Sequence, residues 1–206
     1  MDRLLALGQE REHLRALNRV APKGGAVVPV SVLMADVRGY TTITEGLAPI
    51  EVTDLVNRFY EVGSKALLSA EGLLGQIQGD LVMGLFVPGL AGKKAYRRKS
   101  VEGALGLLNA VGYGHPGDNW LEVGIGIASG EEFVGNVGGG GYIDFTALGD
   151  VTNTAARLSS VAAAGETLVD AATYHDVADL YPDAERRELE LKGKSEPVVA
   201  YAISFS

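Results

Sequence analysis

The chain has 206 residues, which is enough for one well-cored domain and short for two. Hydrophobic residues make up 47% and charged residues 21%, so neither disorder nor a fibrous repeat is indicated. The formal net charge of −8 disfavours a partner held by phosphate neutralisation, such as DNA or RNA, but leaves a single nucleotide open.

Other site classes are excluded or disfavoured by residue type. The absence of cysteine removes disulfides, thiolate catalysis and cysteine-based zinc sites. The three histidines, His13, His115 and His175, lie far apart and lack zinc-ligand spacing. No stretch approaches the ~18 apolar residues that a membrane span needs. We therefore expect a soluble, cytoplasmic protein with no membrane or nucleic-acid partner.

The first half of the chain predicts a helix, a strand, a helix and a hairpin. Residues 1–27 are interpreted as an amphipathic helix and a linker, with one domain over 28–206. Gly79-Asp80 separates two apolar runs, which is typical of a hairpin turn. The predicted elements are a buried strand over 30–36, a helix over 48–69, strands over 73–78 and 81–87 ended by Pro88-Gly89, and a helix over 93–112.

The second half predicts more strands around a central helix. Asp150 is a candidate helix N-cap and Gly165 a C-terminal stop. Four glycines at 138–141 predict a flexible or tight loop. The predicted elements are a strand over 120–129 with a hairpin partner over 131–139, the helix after Asp150, strands near 166–169, 186–191 and 196–203, and a helix near 171–180. Helices alternating with hairpins favour an α+β fold with a largely antiparallel sheet.

Two aspartates stand at strand ends. Asp36 ends the first strand and Asp80 lies in the hairpin turn, so neighbouring first and third strands would bring both to one rim of the sheet. Carboxylates are the hard oxygen ligands that Mg²⁺ and Mn²⁺ prefer. The turn after Asp36 also offers backbone amides to phosphate oxygens. The plainer alternative is that Asp36 caps a helix and Asp80 only makes a turn.

Six segments resemble, in order, the motifs of class III nucleotidyl cyclase catalytic domains. They are MADVRGYT, GDLVMGLF, VGIGIASG, FVGNVG, FTALGDVTNTAARL and LKGKSEPVVAY, and the resemblance runs from about residue 30 to 203. The run that ends in NTAARLSSVAAAGE is most similar to the bacterial branch. The resemblance implies a ferredoxin-like α+β fold with a mostly antiparallel central sheet flanked by helices. It identifies residues 28–206 as the catalytic domain.

The resemblance also implies a site shared by two subunits of a homodimer. From one subunit, Asp36 and Asp80, with the Val37 carbonyl, match the ligands of two divalent cations, Mn²⁺ or Mg²⁺. The phosphate-binding turn is matched by Arg38, Gly39, Tyr40 and Thr41. The implied enzyme is a phosphorus–oxygen lyase that converts a nucleoside triphosphate to a 3′,5′-cyclic nucleotide and pyrophosphate.

The other subunit supplies the groups around the ribose and phosphates. Asn153 matches the residue that orients the ribose, and Arg157 matches the cation that stabilises the transition state. Their i, i+4 spacing puts both on one helix face, and an arginine fork suits developing phosphoryl charge. Lys192 matches the lysine of the terminal phosphates, although a surface lysine in a turn explains it equally well.

The base-reading positions depart from the family pattern. Adenylate-forming members have a lysine where this chain has Gln76, and Thr146 stands at the partner position. Glutamine both donates and accepts, so guanine or uracil would fit about as well as adenine. Tyr40, in place of the commoner Phe, adds a polar group near this pocket. Two alternatives stay open: a pyrimidine cyclase, making cUMP or cCMP in anti-phage signalling, and a catalytically silent nucleotide-binding dimer.

Overall fold

The computed structural model describes residues 24–114, 117, 119–139 and 142–204. The helix predicted at the N-terminus therefore lies outside the described residues. The strands are β1 (Gly25–Val37), β2 (Leu73–Gln78), β3 (Leu81–Phe86), β4 (Val123–Gly139), β5 (Tyr142–Leu148), β6 (Glu166–Asp170), β7 (Glu185–Leu189) and β8 (Val198–Ser204). The helices are α1 (Tyr40–Glu45), α2 (Pro49–Ser69), α3 (Pro88–Ala91), α4 (Tyr96–Ala110), α5 (Asp150–Val161) and α6 (Ala171–His175).

The strands form one sheet of mixed but mainly antiparallel pairing. Its order is β2-β3-β1-β4-β6-β8-β7, and β5 pairs with β4 outside this path. β4 and β6 run parallel, whereas β1 pairs antiparallel with both β3 and β4. The α+β fold with a mostly antiparallel sheet is confirmed, as is the predicted contact between the first and third strands.

The second half of β1, from Val30, is buried on both faces of the sheet. Leu33 and Ala35 belong to the core under α2 and α4, while Val32 and Met34 belong to the core of the opposite face. This position explains the unbroken apolar run in the sequence, because a strand covered on both sides has no polar face. It also gives a rigid base to the residues at the end of β1.

Glycines let α5 lie directly on β4. A Cβ atom at Gly126 would collide with the backbone of Ala155 and Ser159, and one at Gly124 would lie 2.8 Å from the Ala162 carbonyl oxygen. The alternating glycines of this strand are therefore explained by close helix–strand approach. They fix the height of α5 above the sheet.

The hairpin predicted between 120–129 and 131–139 is wrong. These residues form the single strand β4, whose hairpin partner is β5. β1 is also longer than predicted and begins at Gly25, within the segment interpreted as a linker. β1 and β4 are both long because they pair with each other over thirteen positions, from Gly25 opposite Gly135 to Val37 opposite Val123. Gly130 therefore stays extended opposite Val30 instead of turning the chain.

Several predicted helix limits are also corrected. Pro88 opens the short helix α3 instead of only ending a strand, and α4 begins at Tyr96 and not at 93. α5 ends at Val161, before Gly165, and its N-cap is Gly149 instead of Asp150. The helix predicted near 171–180 is limited to α6. Among the described helices, none is both long and apolar enough to cross a membrane.

Candidate active site

The two predicted metal-binding aspartates lie at one rim of the sheet. Asp36 is opposite Leu81 in the β1–β3 register, and the Val37 amide donates a hydrogen bond to the Asp80 carbonyl at 3.1 Å. A cleft of about 270 Å³ opens there. Its lining is Asp36, Val37, Arg38, Gly39, Tyr40, Thr41 and Asp80. The structure thus gathers all seven residues predicted for the cations and the phosphate-binding turn.

Burial and the like charge of Asp80 make Asp36 a weaker acid than an ordinary aspartate. Burial raises the pKa of Asp36 from 3.8 to about 6; Arg38 opposes the increase, and Asp80 adds to it. Two carboxyl groups held this close repel each other unless a cation or a proton lies between them. The electrostatics of the cleft therefore favour binding of a cation.

Arg38 supplies one positive charge to this cleft. Its guanidinium pairs with the Asp36 carboxylate and donates to the Asp36 carbonyl at 3.2 and 3.3 Å. It also donates to the Ser160 carbonyl at 3.1 Å, which ties the cleft to the last turn of α5. In this structure Arg38 thus contacts a predicted metal ligand.

The donor set fits a magnesium or manganese ion. Two carboxylates and the Val37 carbonyl are hard oxygens, and such ions keep several positions for water and substrate phosphate. Among the residues that the structure describes, no group of three or more His, Cys, Asp and Glu side chains could hold a metal. Further ligands would therefore come from the triphosphate and from water.

The turn that carries Asp80 is supported by one residue that the sequence did not indicate. The Tyr60 hydroxyl donates to the Gly79 carbonyl at 2.7 Å and so supports the turn that carries Asp80. Burial, then Tyr40 and Asp80, raise the pKa of Tyr60. Helical periodicity marks its neighbour Phe59 as core but gives no signal for a tyrosine on the flank.

Asn153 and Arg157 both lie on α5, as predicted. Asn153 is exposed, and Arg157 is partly buried against the β7–β8 connection, where a Cβ atom at Gly193 would lie 3.0 Å from the guanidinium. Lys192 is exposed in the same connection. The structure therefore brings Arg157 beside the lysine loop, and these three residues are absent from the lining of the aspartate cleft of the same chain.

A second lysine ties that loop to α5. Lys194 pairs with both carboxylate oxygens of Asp150 at 2.6 Å. The sequence motif LKGK contains both lysines, but the resemblance indicates only Lys192 as a site residue. The partner of Lys194 is 44 positions away, so only the fold could reveal it.

One of the two predicted base-reading residues, Gln76, contacts a further acid. Gln76 Nε2 donates to the Asp144 carboxylate at 2.7 Å, whereas Thr146 is 3% exposed and has its hydroxyl 3.9 Å from Met83 Sδ. Asp144 and Thr146 are two residues apart on β5 and so share a face. The period of a strand could have indicated Asp144; the resemblance directed attention to Thr146 alone.

Comparison with known proteins gives a family and a fold. A family model described as the adenylate and guanylate cyclase catalytic domain matches residues 25–204. The chain belongs to this family.

The fold also matches solved cyclase structures. The adenylyl cyclase CyaB from P. aeruginosa has a TM-score of 0.78 and 29% identity, covering 88% of this chain and 96% of that one. The guanylyl cyclase Cya2 has a TM-score of 0.77 and 25% identity, covering 87% and 93%.

Curated relatives are longer than this cyclase chain. The adenylate cyclase of Anabaena cylindrica is 32% identical over 135 residues, which is 64% of this chain and 27% of that protein. Adenylate cyclase 1 of Rhizobium meliloti is 27% identical over 137 residues, which is 64% of this chain and 20% of that protein. The chain thus matches about a quarter or less of each of these relatives.

Proposed function

We propose that this cyclase domain converts a nucleoside triphosphate to a 3′,5′-cyclic nucleotide and pyrophosphate at sites shared by two copies of the chain. The observation that carries the proposal is the cleft in which Asp36 and Asp80 face the Arg38–Thr41 turn. Two carboxylates beside a glycine-containing turn are suited to hold a cation-bound triphosphate. Membership of the cyclase family supports the same reaction.

Each group of the cleft has a role in this reaction. Asp36, Asp80 and the Val37 carbonyl would hold two divalent cations, and Arg38 to Thr41 would receive phosphate oxygens. The cations, when bound, acidify the ribose 3′-hydroxyl and neutralise phosphate charge. The 3′-hydroxyl gives its proton to water and its oxygen forms the new bond to the α-phosphorus, while the bond from the α-phosphorus to the oxygen that bridges to the β-phosphorus breaks and pyrophosphate leaves. Positioning carries much of the rate enhancement, since no protein nucleophile is needed.

The remaining residues act on a cleft of the opposite copy. Asn153 orients the ribose, Arg157 stabilises charge on the transferring phosphoryl group, and Lys192 binds the terminal phosphates. This assignment is supported by their location, because none of the three lines the aspartate cleft of its own chain. A closed homodimer would complete two equivalent sites.

The base pocket does not restrict this domain to adenine. Gln76 uses one amide hydrogen on Asp144 and keeps its carbonyl as an acceptor, and Asp144 adds carboxylate oxygens. Guanine and uracil carry a ring N–H beside a carbonyl group, so both can use this mixed pair of donors and acceptors. A lysine, by contrast, can only donate. We therefore expect GTP or UTP to be used at least as well as ATP.

A product assay tests the proposed function. The purified chain is incubated with Mn²⁺ and ATP, GTP, CTP or UTP separately, and products are identified by mass. A cyclic product from the native chain, lost in Asp36→Ala and Asp80→Ala and retained in the exposed control Asp54→Ala, is the expected result. Absence of any cyclic product from an intact dimer that binds nucleotide would contradict catalysis and favour a silent regulatory dimer.

A further inference from the structure

The first turn of α5 lacks a cap of its own. Its N-cap residue is Gly149, which has no side chain to receive the free amides of the turn. Asn153 closes this turn by donating its amide to the Gly149 carbonyl, and Arg157 follows one turn later. The way in which this end of the helix is anchored therefore bears on the proposed catalytic residues.

Glu132 of β4 supplies the missing acceptor. Its carboxylate receives hydrogen bonds from the Thr152 amide at 3.0 and 3.2 Å and from the Thr152 hydroxyl at 2.7 Å. The residue is 4% exposed, although it is charged. A Cβ atom at Gly149 would lie 2.5 Å from Glu132 Oε1, so the glycine leaves room for the carboxylate.

The two ends of α5 are held in different ways. The middle and end of the helix rest with their backbone on Gly126 and Gly124. The first turn contacts β4 through side chains, with Val151 against Gly130 and Thr152 on Glu132. A change at Glu132 would therefore loosen the first turn while the rest of the helix stays seated.

We propose that Glu132 is a positioning residue for catalysis, which sets the place of Asn153, and through it the ribose, by fixing Thr152. This inference rests on the proposed cyclase function. Glu132 does not touch substrate; it acts through the backbone of the residue that precedes Asn153. A buried carboxylate at a helix N-terminus also interacts favourably with the helix dipole, so charge and geometry both hold the turn.

The test compares Glu132→Gln with the matched variant Glu131→Gln. Glu131 is the exposed neighbour on the same strand, so both variants remove one carboxylate charge. We expect Glu132→Gln to lower kcat about tenfold, because small displacements of reacting groups are costly, and to leave KM within about twofold. KM should change little since the aspartate cleft is intact. A kcat equal to that of Glu131→Gln would overturn the proposal.

Two further measurements separate positioning from folding. Thr152→Val removes only the hydroxyl donor, and it replaces Glu132→Gln in the assay if that variant melts below the assay temperature. Thr152→Ser keeps the amide and the hydroxyl donors, so its kcat should equal that of the native chain. Amide hydrogen exchange of Glu132→Gln should be faster at Thr152 and Asn153 but unchanged at Leu158. If the native chain forms no cyclic nucleotide, the proposed function fails, and hydrogen exchange alone decides the Glu132 proposal. In that case, exchange at Thr152 and Asn153 of Glu132→Gln as slow as in the native chain would overturn it.

Discussion

At the scale of single residues, burial of the Asp36 carboxylate destabilises the cation-free fold, whereas the proposed function needs this charge. The Asp36 side chain is 27% exposed and lies beside Asp80, and the pKa of its carboxyl is raised to about 6, chiefly by burial. An uncharged side chain at position 36 would make the cation-free fold more stable. The cost is tolerated because a bound cation, which the site is suited to hold, would stabilise the ionised form.

The first prediction concerns the cation-free protein. Because the pKa of Asp36 is raised on folding, its contribution to stability is complete below about pH 4 and is lost as the pH rises through 6. Asp36→Asn should therefore raise the free energy of unfolding at pH 7.5 in chelator by about 1–2 kcal/mol, after allowance for solvent screening and the lost Arg38 pair.

Denaturant titrations at pH 4 and pH 7.5 check this expectation. The gain should be present at the higher pH and nearly absent at the lower one. The exposed Asp54→Asn provides the control. A variant that is less stable than the native chain at pH 7.5 would show that Asp36 is a favourable structural charge and would contradict the account.

The second prediction concerns the base pocket. Gln76→Lys places an ammonium beside Asp144, and an ammonium only donates hydrogen bonds. The ratio of kcat/KM for ATP to that for GTP or UTP should rise about tenfold or more, because an unmatched polar group in a pocket is costly. Competition assays with mixed triphosphates measure this ratio directly. An unchanged ratio would mean that the Gln76–Asp144 pair does not contact the base.

At the scale of secondary-structure elements, the contact of α5 with β4 determines where the helix residues of the site lie. The alternating glycines allow helix backbone to rest on strand backbone, and a side chain at Gly126 would collide with Ala155 and Ser159. We expect Gly126→Ala to lower the free energy of unfolding by about 3 kcal/mol through overpacking, and to lower activity because α5 is displaced.

A matched glycine provides the control for this third prediction. A Cβ atom at Gly106, inside α4, would meet Ala66 Cβ at an ordinary 3.7 Å. Gly106→Ala should therefore be neutral or stabilising by up to about 1 kcal/mol, as expected for alanine in a helix. Thermal or denaturant unfolding of both variants measures the difference. Equal stability of the two variants would contradict the direct seating of α5 on β4.

The elements also show what the sequence could and could not predict. The β2–β3 hairpin and α2 were predicted closely, because a Gly-Asp turn and helical periodicity are local signals. β4 was divided at Gly130, since a glycine followed by two glutamates resembles a turn. The pairing with β1 keeps Gly130 extended, and that pairing joins residues about 100 positions apart.

The candidate site, too, was predictable from the sequence only where its signals are local. Residues of the Asp36–Thr41 segment are consecutive, so the motif identified them together with Asp80. Asp144, Lys194 and Glu132 were missed because each acts through a partner that is distant in the chain. Asp150 was predicted as the N-cap of α5 from its local position, whereas the acceptor comes from β4. Motifs thus indicate groups that meet the ligand, and the fold indicates groups that hold them.

At the scale of the whole molecule, the proposed reaction calls for two copies of the chain. The aspartate cleft lies at the β1 and β2–β3 rim, while Asn153, Arg157 and Lys192 are grouped at α5 and the β7–β8 connection. Under the proposed function, a single chain therefore carries two half-sites. Head-to-tail pairing of two copies would join each half-site to its complement and would make activity depend on dimer concentration.

The most direct test of this central claim is complementation between two inactive variants. Asp36→Ala and Arg157→Ala chains are assayed separately, then mixed under conditions that allow subunits to exchange, and cyclic nucleotide formation is measured. Random pairing gives half heterodimers, each with one intact site of two, so the mixture should recover about a quarter of native activity. If each variant alone is inactive and the mixed dimers, shown to have exchanged, stay inactive too, then the two half-sites do not combine across subunits and the account is contradicted.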